Sequence, residues 1–182
     1  DIFKQLLYDY FTGNGPALAR WGLKWLDLPG RTDAGQQFEQ LWPEAYWVVC
    51  VRDPFRTIES AKNTFVPDLD TQECAEAWVR VCEFAAAHDS LRLTVVQLDR
   101  LSLQHTDQRI GVLRQILCHL GESPSVETDS FVRRWPVVHK VKPEAERLFQ
   151  LSRWERRRLL RRVPGLAEHM DRLGYDTSRR KR

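Results

Sequence analysis

Tyr46 to Phe65, reading YWVVCVRDPFRTIESAKNTF, constrains what this chain can fold into more than any other stretch. It opens on a β-branched and aromatic run, Tyr46 to Val51, whose length predicts a buried strand rather than a helix. Arg52, Asp53 and Pro54 end that run. Asp favours the N-cap and Pro the first helical position, so a helix is predicted to begin here. Phe55, Ile58 and Phe65 would form its apolar side, and Arg56, Glu59, Lys62 and Asn63 its polar side. A guanidinium thus falls at the carboxyl end of a strand, with a hydroxyl, Ser60, further along the helix. Open α/β sheets bind ligands at that edge, helix N-termini there favour anions, and the arginine fork matches phosphate oxygens. The same residues also fit a structural role, with Asp53-Pro54 as an ordinary cap and Arg52 in a surface ion pair.

Helices and strands alternate around this unit. Apolar spacing predicts a helix over Ile2 to Phe11, stopped by Gly13-Asn14-Gly15-Pro16, a short strand at Trp21 to Trp25, and a helix over Gln36 to Trp42. Asp70 and Glu73 read as a capping box, opening a helix with Cys74, Trp78, Val81, Cys82 and Ala85 on one face and closing at His88-Asp89-Ser90. Leu91 to Leu98 is the second clear strand. Asp107 is read as the cap of a helix that turns Ile110, Leu113, Ile116, Leu117 and Leu120 inward and stops at Gly121. Four helices follow, near 125–134, 143–150, 152–162 and 164–173, with Gly174 as the last stop. Strands separated by long helices imply crossovers and a parallel sheet, hence a three-layer α/β fold with a helical C-terminal third.

A length of 182 residues predicts one domain with a real core. The net charge of +3 conceals an asymmetry, because Ser152 onward holds 11 Lys/Arg against 4 Asp/Glu. The basic balance is local to the C-terminus, and 176–182 reads as a basic tail. Cys50, Cys74, Cys82 and Cys118 show no metal-like clustering and read as small core residues of a reducing, cytoplasmic compartment. No apolar run approaches the length of a membrane span. The chain opens on Asp1 inside a helical pattern, which leads us to expect an N-terminally truncated fragment.

An Arg ending a strand, then Asp-Pro, then a Ser eight residues after the Arg resembles the 3′-phosphate-binding segment of sulfotransferases that use 3′-phosphoadenosine-5′-phosphosulfate (PAPS). Leu41-Trp42-Pro43-Glu44-Ala45 is similar to that family's lead-in to the strand. Leu98-Asp99-Arg100-Leu101, the ending Leu120-Gly121 and Leu173-Gly174-Tyr175 match it more loosely. The resemblance implies a parallel sheet of P-loop NTPase type, with PAPS as sulfonate donor and no metal. Arg52 and Ser60 would hold the 3′-phosphate. Lys140, in the basic stretch Val137 to Lys142, would reach the nucleotide from a C-terminal loop. The acceptor is an unidentified hydroxyl or amine on a small molecule or carbohydrate.

Two parts of the family's machinery depart from the pattern. The Gly/Ser/Thr-rich loop that cradles the 5′-phosphosulfate has no counterpart, since Gly13-Asn14-Gly15 lacks the basic residue and the hydroxyls. Lys24 sits where the family places a strand-end lysine, but Lys24-Trp25-Leu26-Asp27 carries no matching His. Lys24 is the candidate charge at the reacting centre and Asp27 the candidate base, although both also fit a surface strand end before a Pro turn. The 182 residues alone are expected to bind nucleotide without transferring sulfonate. His88, His105, His119 and His169 read as caps or surface residues, and no pair has metal-ligand spacing. Two alternatives stand beside the enzyme: a catalytically inactive interaction module of the same fold, or binding of nucleic acid or an acidic surface through Arg153 to Arg162 and the tail. Nucleic acid is the less expected partner, because such a basic helix more often presents a solvated face, with Trp154, Leu159, Leu160 and Val163 available for packing. A nucleotide kinase is disfavoured because no GxxxxGK[ST] is present.

Overall fold

The two clear strands pair with each other. The computed structural model describes residues 32–64, 67–88, 91–101, 106–134 and 149–177. In chain order its elements are α1 (Thr32–Leu41), β1 (Trp47–Val51), α2 (Pro54–Thr64), α3 (Thr71–Ala87), β2 (Leu93–Gln97), α4 (Leu98–Leu101), α5 (Thr106–His119), α6 (Val126–Arg134), α7 (Arg153–Arg162) and α8 (Leu166–Arg172). The described chain is therefore mixed α/β and mostly helical. It divides into two compact units, Asp1–Ala45 and Tyr46–Arg182. Within the first, α1 starts four residues before the predicted Gln36 and ends where the Trp42 amide donates to the Phe38 carbonyl at 2.9 Å. The predicted helix at 2–11 and strand at 21–25 lie outside the described residues.

In the second unit, β1 and β2 run parallel, in register from Trp47 opposite Leu93 to Val51 opposite Gln97. A parallel pair needs a long crossover, and α2 with α3 supplies it. Val49, Val51 and Leu93 are buried on one face, against Val81, Phe84 and Ala85 of α3. Side chains alternate across a strand, so Val48 and Cys50 point the other way. Val48 is 36% exposed and Cys50 is exposed as well. The run Tyr46 to Val51 is thus a one-faced strand on β1, not one buried on both sides. Among the described residues the sheet has two strands.

The larger core lies between α2, α3, α7 and α8, where Phe55, Ile58, Trp78, Leu159, Leu166 and Met170 meet. Helix α3 serves both cores: Trp78 and Cys82 face the helical one, Val81 and Ala85 the sheet. Its N-cap is Asp70, whose carboxylate accepts the amides of Gln72 at 2.7 Å and Glu73 at 2.9 Å. Asp107 is not the cap of α5, which begins at Thr106; its carboxylate pairs with Arg133 of α6 at 3.0 Å. Nor are all four thiols in the core. Cys82 is buried, and burial pushes it up to about 12, whereas Cys50 and Cys118 are exposed. His169, expected at the surface, is buried on α8. Of the helix expected over 143–150, Phe149 and Gln150 have no regular structure and the rest lies outside the described residues.

Both Leu-Gly stops take the same form. The Glu122 amide returns to the Leu117 carbonyl at 2.8 Å and the Gly121 amide to Cys118 at 3.0 Å. The Tyr175 amide returns to Met170 at 2.9 Å and the Gly174 amide to Asp171 at 2.9 Å. This paired closure requires the residue after the cap to be left-handed, and Gly121 and Gly174 adopt φ of 71° and 73°.

Helix α2 carries the least expected contacts. Glu59, assigned by periodicity to the polar side, is 5% exposed. Its Oε1 accepts the Leu151 amide at 3.0 Å and the Arg156 guanidinium of α7 at 2.7 Å. One turn on, Asn63 brackets Phe149, accepting its amide at 2.9 Å and donating to its carbonyl at 2.8 Å. Glu59→Ala would leave the Leu151 amide and the Arg156 guanidinium without their acceptor. We expect it to destabilise the fold by about 2–3 kcal/mol, less than a fully buried pair because Arg156 is partly exposed. Urea unfolding of Glu59→Ala beside Glu59→Gln would measure this, and a loss within experimental error would show the pair to be dispensable.

Candidate functional site

The carboxyl ends of β1 and β2 and the first turn of α2 bring Arg52, Asp53, Arg56 and Asp99 together. Arg52 and Asp53 follow β1 directly, and Asp99 lies one residue into α4, which follows β2 without a break. Asp53 is the cap of α2: its Oδ1 accepts the Arg56 amide at 2.9 Å and its carbonyl accepts the Thr57 amide at 2.9 Å. The Arg52 carbonyl is held by the Trp78 indole N–H at 2.9 Å, which ties the turn to α3. The strand end is therefore fixed by its own cap and by a tryptophan from the crossover helix.

Asp99 is the hub. Its Oδ2 accepts the Asp53 amide at 3.3 Å, while its Oδ1 lies 3.6 Å from both Arg52 Nε and Arg56 Nη1. A separation of 3.6 Å is longer than a charge-assisted hydrogen bond, so these are loose ion pairs. Arg52 is 32% exposed and Arg56 60%, and pairs so open to water contribute about 0–1 kcal/mol. Among the described residues two guanidiniums face two carboxylates, and the Asp53 carboxylate already occupies the Arg56 amide of α2.

Tyr175 enters from the C-terminal end of the chain. The closure at Gly174 turns the backbone, and the Leu173 carbonyl accepts the Gln97 side-chain amide at the end of β2. The Tyr175 hydroxyl is buried with no well-formed hydrogen bond. Burial, then the negative charges of Asp99 and Asp53, push its ionisation well above the ordinary tyrosine value.

Of the residues named from sequence, Arg52 and Ser60 fall within the described chain. Arg52 stands at the strand end as expected, in the ion pair just described. Ser60 is exposed on α2, one turn beyond Arg56 on the same row. Lys24, Asp27 and Lys140 lie outside the described residues. Arg56, Asp99 and Tyr175 are the members whose roles sequence reasoning missed. The spacing of four from Arg52 to Arg56 to Ser60 was the available signal for Arg56. Asp99 and Tyr175 arrive from 46 and 122 residues after Asp53, and the loose family match of Leu98 to Leu101 and of Leu173 to Tyr175 gave neither of them a role. No group of three or more His, Cys, Asp or Glu among the described residues is placed to hold a metal ion. No described helix is long and apolar enough to cross a membrane.

Comparison with protein-family models, with curated proteins and with solved structures finds no match.

The environment of Tyr175 makes a titration prediction. The folded chain favours the neutral phenol, so this contribution to stability is complete below about pH 10 and is lost as pH rises beyond it. In an alkaline absorbance titration Tyr175 should ionise late, above the ordinary tyrosine range, and Tyr175→Phe should remove that late component. Loss of amplitude in the ordinary tyrosine range near pH ~10 in Tyr175→Phe, rather than of a late component, would place the hydroxyl in water.

Proposed function

We propose that the chain is a sulfotransferase-type domain that binds PAPS, or its product adenosine 3′,5′-bisphosphate, at the carboxyl edge of β1. The observation that carries this reading is the Arg52 guanidinium at the end of a parallel strand, followed at once by capped α2 with Arg56 and Ser60 on one exposed row. Arg52 and Ser60 hold the 3′-phosphate in this reading. The guanidinium fit is favourable, because Arg52 meets Asp99 only loosely, at 3.6 Å through Nε, and an arginine fork matches phosphate oxygens. Beyond the two strands described, the reading extends the sheet to the three-layer P-loop NTPase type.

PAPS supplies the sulfonate, which passes to an acceptor hydroxyl or amine. Lys24 would place positive charge at the reacting centre, Asp27 would take the acceptor's proton, and Lys140 would reach the nucleotide from the C-terminal side. Arg52 and Ser60 act on the far end of the nucleotide, so they anchor it rather than take part in transfer. A cytoplasmic setting accords with the four free cysteines. A second reading is favoured by the Asp99 contacts themselves. If Asp99 holds Arg52 and Arg56 permanently, the turn is structural and the domain is a catalytically inactive member of this fold.

Calorimetry with adenosine 3′,5′-bisphosphate separates the two. Binding should be lost or weakened about tenfold or more in Arg52→Ala, since a charge-assisted hydrogen bond is worth roughly 1.5–3 kcal/mol. Asp99→Asn should strengthen binding by removing the competing carboxylate. Equal binding by wild type and Arg52→Ala, or preference for AMP, would overturn the nucleotide reading and leave the structural one.

A further inference from the structure

Helix α7 presents a cationic, aromatic surface that the strand-edge site does not use. Its inner face is fully committed: Leu159 and Val163 are buried in the helical core, and Arg156 turns in to Glu59. Its N-terminus is locked by a capping box, in which Ser152 Oγ accepts the Glu155 amide at 3.2 Å and Glu155 accepts the Ser152 amide at 2.7 Å. The rest faces water in two adjacent rows at helical spacing. One row is Arg153, Arg157 and Arg161; the other is Trp154, Arg158 and Arg162.

Trp154 decides what such a surface fits. Its sequence position assigned it to packing, yet it is 61% exposed, with the Arg158 guanidinium 5.4 Å from its ring centre. The positive field extends past α7, because Lys62 as well as Arg158 helps to hold the Asp70 carboxyl below its ordinary value, after the two amides that it caps. The carboxylates nearby, Glu155 and Asp70, are both engaged in helix caps.

We propose that this face binds single-stranded nucleic acid, the arginine row following the phosphates and Trp154 stacking on an unpaired base. Rows one helical turn apart put successive guanidiniums about 6 Å apart along the axis, a ladder of charge suited to a flexible polyanion. An exposed indole beside such a ladder is the combination that single-strand binders use, because every unpaired base offers a π face and a duplex hides it. A membrane surface fits less well. Peripheral helices bury an apolar face in lipid, and the apolar face of α7 is inside its own core.

The test uses the full 182-residue chain and a fluorescently labelled single-stranded oligothymidylate, read by anisotropy. Binding is expected at low salt, with affinity falling steeply as salt rises. Trp154→Ala should weaken it about tenfold or more, and Trp154→Phe should keep most of the affinity. Arg157→Gln with Arg161→Gln should lower the slope of log affinity against log salt by about 1.4, two phosphate contacts being lost. Trp154, Arg157 and Arg161 are all exposed, so the variants should fold. Absence of a complex at low salt, wild-type affinity in Trp154→Ala, tighter binding to the matching duplex, or tighter binding to phosphatidylserine vesicles would each overturn the proposal. The outcome is independent of nucleotide binding at Arg52.

Discussion

A single buried carboxylate joins the two halves of the helical core. Glu59 comes from α2, directly behind the strand end, and its partners Leu151 and Arg156 lie more than 90 residues later. Desolvating a carboxylate is expensive unless its lone pairs are filled, and here one oxygen takes both a backbone amide and a guanidinium. The Arg156 guanidinium also lies 5.4 Å from the centre of the Phe55 ring, so the pair is sandwiched against the apolar side of the same helix. Asn63 completes the seam by matching both polar groups of Phe149. Apolar packing of Leu159, Leu166 and Met170 supplies the bulk of the attraction between these helices. Because hydrophobic attraction is non-directional, the polar seam sets their register.

That register has a consequence at the strand edge. Helix α8 is capped by Leu173, whose carbonyl receives the Gln97 side chain, and after the Gly174 turn Tyr175 is buried where the charges of Asp99 and Asp53 reach it. The end of β2, the end of β1 and the C-terminal corner therefore share one small polar cluster. Asp99 is its centre, holding a backbone amide and two guanidiniums with one carboxylate. Its contacts with the arginines are loose and wet, whereas Trp78 holds the Arg52 backbone firmly. The main chain of the turn is held from both sides by hydrogen bonds, while its two guanidiniums sit in loose, partly exposed ion pairs.

The arginines of the chain divide by what lies behind them. Arg156 faces a buried carboxylate and becomes structural, while Arg153, Arg157 and Arg161 on the same helix are exposed. Identical side chains three or four residues apart thus serve opposite ends. The division follows from Leu159 and Val163, which orient α7 against the core.

Much of this was legible in the sequence, because it depends on neighbours in the chain. The β-branched run of β1, the Asp53-Pro54 start of α2, the Asp70 cap of α3 and the glycine stops at 121 and 174 are local effects of backbone sterics and short-range hydrogen bonds. So is the placing of Arg52 at a strand end and of Ser60 on the helix that follows. What only the tertiary structure decided is which polar residues lose water and which apolar ones keep it. Glu59 and His169 read as surface residues and are buried, whereas Trp154, Val48 and Cys50 read as core and are exposed. Periodicity ranks the faces of an element but does not say what another element brings to them. Glu59 is buried because Arg156 and Leu151 arrive to satisfy it, and Arg52 has a counter-ion because β2 delivers Asp99 beside it.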